Sequence, residues 1–269
     1  MGSRLDPQVT VGLPVYNAEA YLVECLESIK AQTLKEFEVL AILDCPTDKS
    51  AEILRKHADS RFRIVENPKN LGLAATCNRL LELSQTELLA RMDADDVMIP
   101  ARLEKQVAFM HAHPEVDILG TQIEKIDEHG QHAGDTVPLA TTPEGLREQF
   151  RTMCALWHPT IMFRVSRIQE LGGYPDSRVA EDLILYLRGL SRDYLLTNLP
   201  DVLVKYRVHP EGQMNRLREA SYAANDEAYA EYGPLIWGDR APDFVAGRTR
   251  WERLRRRMKR NVSRLFNKT

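Results

Sequence analysis

Between residues 9 and 90, short apolar runs alternate with amphipathic segments, and every run ends in polar residues. Residues 9–13 (Val-Thr-Val-Gly-Leu) read as a buried strand that Pro14 ends. Asn17 stands where it can cap a helix carrying Tyr21, Leu22, Cys25, Leu26 and Ile29 on one face. Residues 37–43 are a second strand, broken at Asp44-Cys45-Pro46-Thr47-Asp48, and residues 50–58 the next helix. A strand at 62–65, a loop at 67–72, a helix at 73–84 and a strand at 87–90 complete the pattern. A helix in every gap rules out hairpins and points to a parallel sheet with helices on both faces. Ligands of such sheets lie at the carboxyl ends of the strands. Asn17, Asp44 and the acidic run Asp93-Ala94-Asp95-Asp96 all fall there.

The second half is less regular. Pro100 opens a helix that runs through His111, and residues 116–126 read as a long strand. A turn at 128–130, a short strand at 136–137 and a helix at 146–153 follow. Residues 157–163 cross back as loop and strand, and a helix at 165–171 is stopped by Gly172-Gly173. A helix at 181–190 and a strand at 202–208 come next, and residues 233–247 look like a linker.

The last 22 residues, 248–269, hold ten Lys/Arg against one Glu, although the 269-residue chain has a net charge of −3. Trp251, Leu254, Met258, Val262, Leu265 and Phe266 share one helical face, and Arg and Lys fill the other. That is the form of an interfacial membrane helix. A helix packed on the core with a solvated basic face, or a nucleic-acid patch, are the alternatives, and nucleic acid is not the expected partner. No apolar run approaches the roughly 20 residues that span a bilayer, and residues 1–6 hold no signal-peptide core. The expectation is a cytoplasmic protein with peripheral contact, through residues 248–266, at the cytoplasmic face of the inner membrane. The four dispersed cysteines, Cys25, Cys45, Cys77 and Cys154, suit small buried hydrophobes in a reducing compartment.

Asp93-Ala94-Asp95 alone says little, because roughly one D-x-D is expected by chance in a chain of this composition. Its context adds weight. Mg²⁺ and Mn²⁺ prefer carboxylate and phosphate oxygens, so a carboxylate cluster at a strand end is a place to hold a diphosphate through a cation. Five ordered motifs then carry a resemblance. Leu13-Pro14-Val15-Tyr16-Asn17 resembles a "P-x-Y-N" loop, and residues 42–50 resemble "V-D-D-G-S-T-D-x-S". Asn70-Leu71-Gly72-Leu73-Ala74, with Asn78, resembles "N-x-G-x-x-x-A-x-N". Residues 90–96 match the metal segment, and Glu181-Asp182-Leu183-Ile184-Leu185-Tyr186-Leu187-Arg188 matches "E-D-x-x-L-x-x-R". Over residues 7 to about 210 the chain resembles the inverting family 2 glycosyltransferases.

That resemblance implies an α/β GT-A fold: a Rossmann-like, mostly parallel sheet flanked by helices, here with a helical C-terminal extension. Residues 7–97 become the nucleotide-sugar-binding half, 98–212 the acceptor-binding half and 213–269 the extension with its basic amphipathic tail. It implies a metal-dependent, inverting transfer of a hexosyl or N-acetylhexosaminyl group from a nucleotide-sugar, a UDP-sugar by preference. The acceptor is a hydroxyl of a glycan or lipid-linked glycan in surface polysaccharide assembly. Pro14, Tyr16, Asn17, Asp44, Asn70, Gly72, Arg79, Arg91 and Asp93 line the donor pocket, with Asp44 on the uracil. Asp95, Asp93 and His209, the last in Tyr206-Arg207-Val208-His209, hold Mn²⁺ or Mg²⁺. Asp182 is the general base, and Glu181, Trp157 and His158 lie on the acceptor side. The chain departs from the pattern at Leu43, where the family has its first Asp, and at Cys45-Pro46 in place of Gly-Ser. Pro46 removes a backbone donor there. A nucleotidyltransferase and a non-catalytic nucleotide- or sugar-binding module are the competing classes. The first lacks its glycine-rich basic loop here, and intact Asp95 and Asp182 speak against the second.

Overall fold

The structure is a computed structural model that describes residues 6–209 and 218–238. The strands are β1 (Val9–Val15), β2 (Phe37–Leu43), β3 (Phe62–Glu66), β4 (Leu88–Arg91), β5 (Val97–Met98), β6 (Ile118–Ile126), β7 (Met162–Arg164) and β8 (Leu196–Arg207). The helices are α1 (Leu22–Lys30), α2 (Ser50–His57), α3 (Leu73–Leu83), α4 (Arg102–Ala112), α5 (Pro143–Gln149), α6 (Val165–Glu170), α7 (Glu181–Leu190) and α8 (Arg218–Trp237). A 3-10 turn occupies His158–Thr160.

All eight strands form one sheet in the order β3-β2-β1-β4-β7-β6-β8-β5. The first four are mutually parallel, β7 runs antiparallel to β4 and β6, β8 is parallel to β6, and β5 is antiparallel to β8. Alternate residues feed opposite faces. Leu40, Ile42, Leu89 and Phe163 join one core with α3, α5, α6, α7 and α8. Val39, Ala41, Leu88 and Met162 join the other with α1 and α4. The period-2 alternation of two-sided strands therefore becomes a three-layer sandwich.

Several boundaries differ from the sequence reading. Pro14 does not end β1, which continues to Val15. The β1–β4 ladder stops at Gly12–Arg91, so the missing N–H of Pro14 faces a side with no partner to lose. Asn17 caps nothing; α1 starts at Leu22 without a side-chain cap. Residues 136–137 are not a strand. The helix expected at 146–153 starts at Pro143, where Thr142 accepts the Gly145 N–H at 3.1 Å.

Strand β8 starts at Leu196 rather than 202, because buried Thr197 and Asn198 find acceptors in the backbone carbonyls of Thr141, Ala140 and Ala155. Pro200 falls where the β6–β8 register shifts, so its lack of a donor breaks no ladder bond. At the far end α8 runs through Pro234 to Trp237, inside the stretch read as a linker. Tyr229 donates to the Phe150 carbonyl at 2.6 Å and stacks on Trp237, and this packing outweighs the helix-breaking proline. Of the cysteines, Cys25 and Cys77 are buried as expected, Cys154 is half-buried and Cys45 is exposed. The basic tail lies outside the described residues.

Beneath the sheet's ligand end, fully buried Arg102 of α4 donates to the Arg91 carbonyl at 2.8 Å, the Ile161 carbonyl at 3.4 Å and Gln106 Oε1 at 2.9 Å. Replacing it with leucine takes this donor from the Arg91 carbonyl and Gln106 Oε1, while the Ile161 carbonyl keeps the Arg91 N–H at 2.9 Å. The expected loss is about 3 kcal/mol or more of unfolding free energy by urea titration.

Candidate active site

The first part of the site is a knot around Asp44. This residue follows β2 and is 4% exposed. Its Oδ1 accepts from Asn67 Nδ2 at 2.6 Å and the Leu71 N–H at 2.8 Å, and its Oδ2 from the Gly72 N–H at 2.9 Å. Asn70 Nδ2 donates to the Asp44 carbonyl at 3.2 Å. A carboxylate has about four lone-pair positions; three are filled, and the remaining one is on Oδ2. Gly72 takes φ +85° as it leads into α3, a backbone that suits glycine. Arg79, a turn and a half along α3, donates to Asn67 Oδ1 and to the Glu66 carbonyl, so it stands behind Asn67 in the Asp44 knot.

The loop after Asp44 is stitched to the loop after β1. Cys45, where the family pattern has glycine, takes φ +52°, a strain of about 1 kcal/mol for a side chain. The donor lost at Pro46 is replaced one residue on, where the Thr47 N–H meets Asn17 Oδ1 at 2.8 Å. Asp48 accepts from the Glu19 and Ser50 N–H groups, and Glu19 accepts from the Lys49 N–H. Tyr16 and Asn17 are exposed on this double loop, above buried Pro14.

The second part is the acidic loop after β4. Asp93, Asp95 and Asp96 each bring a carboxylate oxygen within 4.8 Å of the others. Asp93 pairs with Arg91, which is almost fully buried in β4. Asp95 Oδ2 lies 3.0 Å from His209 Nε2. Asp96 is 1% exposed; its Oδ1 accepts the Arg207 N–H, and its Oδ2 is buried without a hydrogen-bond partner among the described residues. Burial, then the charges of Asp95 and Asp93, hold the Asp96 carboxyl well above the usual range. Burial also raises Asp93, against the pull of Arg91. An orphaned carboxylate oxygen among hard, crowded oxygen donors fits Mg²⁺ or Mn²⁺.

The third part is the start of α7. Glu181 is buried and Asp182 half-buried. Burial, then the neighbouring Asp182, pushes Glu181 up to about 7. Burial also raises Asp182, and Arg91 pulls it down. The segment leading to α7 is held from α3: Asn78 accepts the Tyr174 N–H at 2.8 Å and donates to the Tyr174 carbonyl at 3.0 Å. Tyr174 Oη in turn lies 3.0 Å from Nε2 of buried His158, which burial keeps neutral. The His158 ring thus points inward and supports Tyr174. Half-buried Trp157 packs its ring 5.3 Å from that of Tyr206, whose hydroxyl is raised by burial and then by the three acidic-loop aspartates.

Asp44 and the acidic loop follow the carboxyl ends of β2 and β4, two parallel strands on either side of β1, and Glu181-Asp182 lie within range of the charges of Arg91 and Asp93. Arg91 links the acidic loop to the Glu181-Asp182 pair, since its charge acts on Asp93, Glu181 and Asp182 alike. Asp96 and Arg207 are the residues that sequence reasoning did not place. Asp96 was visible in the acidic run, but its orphaned oxygen depends on burial. Arg207 lay inside the motif that supplied His209.

A parallel sheet carrying a carboxylate loop and a nucleotide-type loop at its strand ends, continued by antiparallel strands, defines the GT-A class. The chain belongs to glycosyl transferase family 2, whose pattern matches residues 10–172. It is 32% identical to the amylovoran biosynthesis glycosyltransferase AmsE of Erwinia amylovora over 81% of this chain and 82% of that one. It is also 32% identical to the putative glycosyltransferase EpsE of Bacillus subtilis, over 82% and 79%. Among solved structures, residues 1–349 of S. aureus TarS in complex with UDP-GlcNAc superpose with a TM-score of 0.69 at 21% identity, covering 85% of this chain and 70% of that one. The mannosyltransferase PcManGT of Pyrobaculum calidifontis, in complex with GDP-Man and Mn²⁺, gives 0.63 at 23% identity over 84% and 64%.

The raised Glu181 carboxyl has a measurable consequence. Between its ordinary value of 4.5 and about 7 the unfolded chain ionises while folded Glu181 keeps its proton. Stability therefore falls as pH rises through that window, by roughly 3 kcal/mol from this residue. Glu181→Gln is expected to flatten that part of the stability–pH profile in urea unfolding at pH 4.5 to 8.

Proposed function

We propose that the protein transfers a sugar from a nucleotide-sugar, a UDP-sugar by preference, to a hydroxyl of a glycan or lipid-linked glycan, with inversion and with a divalent cation. The observation that carries this reading is that buried Arg91 pairs with Asp93 of the acidic loop and its charge also acts on the Glu181-Asp182 pair. The relatives support it in kind: AmsE is named for amylovoran biosynthesis. TarS was solved with UDP-GlcNAc and PcManGT with GDP-Man and Mn²⁺.

In this reading the free lone pair of Asp44 accepts an N–H of the nucleobase, while Tyr16 and Asn17 border the nucleoside. Asp95 and Asp93 hold the cation, with Asp96 and His209 completing its surroundings. When bound, the cation neutralises the charge that grows on the departing diphosphate. Arg91 holds Asp93 in place toward the donor sugar. Asp182 takes the proton of the acceptor hydroxyl as that oxygen attacks the anomeric carbon from the side opposite the diphosphate. One displacement with one base gives inversion. Burial raises Asp182 above an ordinary aspartate, while the Leu183 N–H and then Arg91 pull it back down. Glu181 and Trp157 border the acceptor, and His158 acts through Tyr174.

Asp182→Asn is expected to lower transfer by at least about 10²-fold, with UDP affinity by calorimetry nearly unchanged. Normal transfer by that variant removes the base assignment. In the wild type, kcat is expected to rise with pH through a value above that of an ordinary aspartate. EDTA is expected to stop transfer and Mn²⁺ or Mg²⁺ to restore it. Screening nucleotide-sugars for Mn²⁺-dependent hydrolysis identifies the donor.

The membrane part of the proposal rests on the composition of residues 248–266. No helix of the described residues is long and apolar enough to cross a bilayer. Truncation before Arg248 is expected to reduce sedimentation with anionic liposomes; unchanged binding favours a tail that packs on the protein.

A further inference from the structure

Arg207 ends β8, and its side chain is 1% exposed. Its backbone N–H donates to Asp96 Oδ1 at 2.7 Å. Its guanidinium is spent on three acceptors in three directions: Nε on the Asp95 carbonyl at 2.8 Å, Nη1 on the Asp127 carbonyl at 3.0 Å and Nη2 on Glu24 Oε2 at 2.5 Å. The same group lies over the Tyr21 ring at 4.6 Å, and that ring stands 4.9 Å from the ring of His209. One residue thus grips both members of the Asp95-Asp96 pair from more than 110 positions away. It also anchors that grip to α1 through Glu24 and to the end of β6 through Asp127.

This side chain is too buried to serve as a ligand contact. Its effect is on geometry. Three carboxylates within four residues repel one another, and burial makes that repulsion harder to relieve. A loop of this kind relaxes by swinging its carboxylates apart unless its backbone is pinned. We propose that Arg207 is a positioning residue that presets Asp95 and Asp96 for a divalent cation, an inference that rests on the metal reading above. The guanidinium is suited to this because its planar fork serves three acceptors at once. A lysine ammonium on a flexible stem reaches one of them well. Residues that hold metal ligands from behind typically change metal affinity by about 10- to 100-fold when replaced.

The test is direct Mn²⁺ binding to the full chain, followed by the loss of the free-ion EPR signal, without substrate. Wild type, Asp95→Asn, Arg207→Lys and Glu24→Gln are compared at a temperature where circular dichroism shows each folded. The expected result is one site in the wild type that Asp95→Asn abolishes. Arg207→Lys is expected to bind at least about 10-fold more weakly at unchanged stoichiometry, and excess Mn²⁺ to recover its binding.

Glu24→Gln, at an exposed position that leaves the core intact, is expected to weaken binding several-fold. That effect is expected to persist in about 0.5 M KCl, where a simple charge effect is screened. It carries the test if Arg207→Lys does not fold. Reduced stoichiometry with unchanged affinity in Arg207→Lys assigns the residue to folding alone and overturns the inference. So does wild-type affinity in both variants. A wild type that binds no Mn²⁺ overturns the metal reading itself, and is told apart because the unmutated protein is then silent.

Discussion

The structure depends on how three crowded carboxylates are kept in place. Asp93, Asp95 and Asp96 meet at the end of β4, where Asp93 and Asp95 are half-buried and Asp96 is buried, so water relieves their mutual repulsion only in part. Two buried arginines meet it differently. Arg91 pairs with the Asp93 carboxylate from inside the sheet, so charge offsets charge. Arg207 grips the Asp95 backbone and, through its own N–H, the Asp96 side chain, so geometry is held without neutralising the loop. Asp96 Oδ2 is left without a partner, and its carboxyl is held well above the usual range.

The same economy appears on either side of the acidic loop, at the Asp44 loop and at the start of α7. At the first the Asp44 carboxylate fixes the Asn70–Gly72 turn and keeps a single acceptor position open. At the second, the route to Asp182 is fixed by Asn78, which bonds both backbone groups of Tyr174. Both grips act on α3, one on the turn that opens it and one from its middle. A rigid helix therefore ties the proposed nucleobase contact to the proposed base. This explains why a motif spread over Asn70, Gly72 and Asn78 stays together in the sequence while its parts act at opposite ends of the site.

The first four strands, the helices between them and the covering of the sheet on both faces were legible because period-2 and period-3.6 patterns report local burial directly, whereas the order of the strands in the sheet was not. Pro14, β8 and α8 were misread for a common reason: each breaks a local rule that a distant partner makes harmless. Pro14 lacks a donor where no ladder continues, Thr197 and Asn198 are polar where carbonyls await them, and Pro234 sits in a helix that Tyr229 and Trp237 hold in place. Cys45 was read as a small buried hydrophobe and is exposed, because its position calls for a left-handed turn rather than for volume.

The sequence by itself determined the class of fold, the family and the residue types that bring chemistry, because motif spacing and hydrophobic period are local quantities. Only the tertiary structure decided which of those residues meet and which serve behind them. His158 turns inward to Tyr174, Arg79 joins Asn67 beside Asp44, and Asp96 gains weight through burial. Arg207 emerges as the clamp because it meets the acidic loop across more than a hundred residues. The physical reason is that burial and charge–charge distance are set by long-range packing, and no window along the chain contains them.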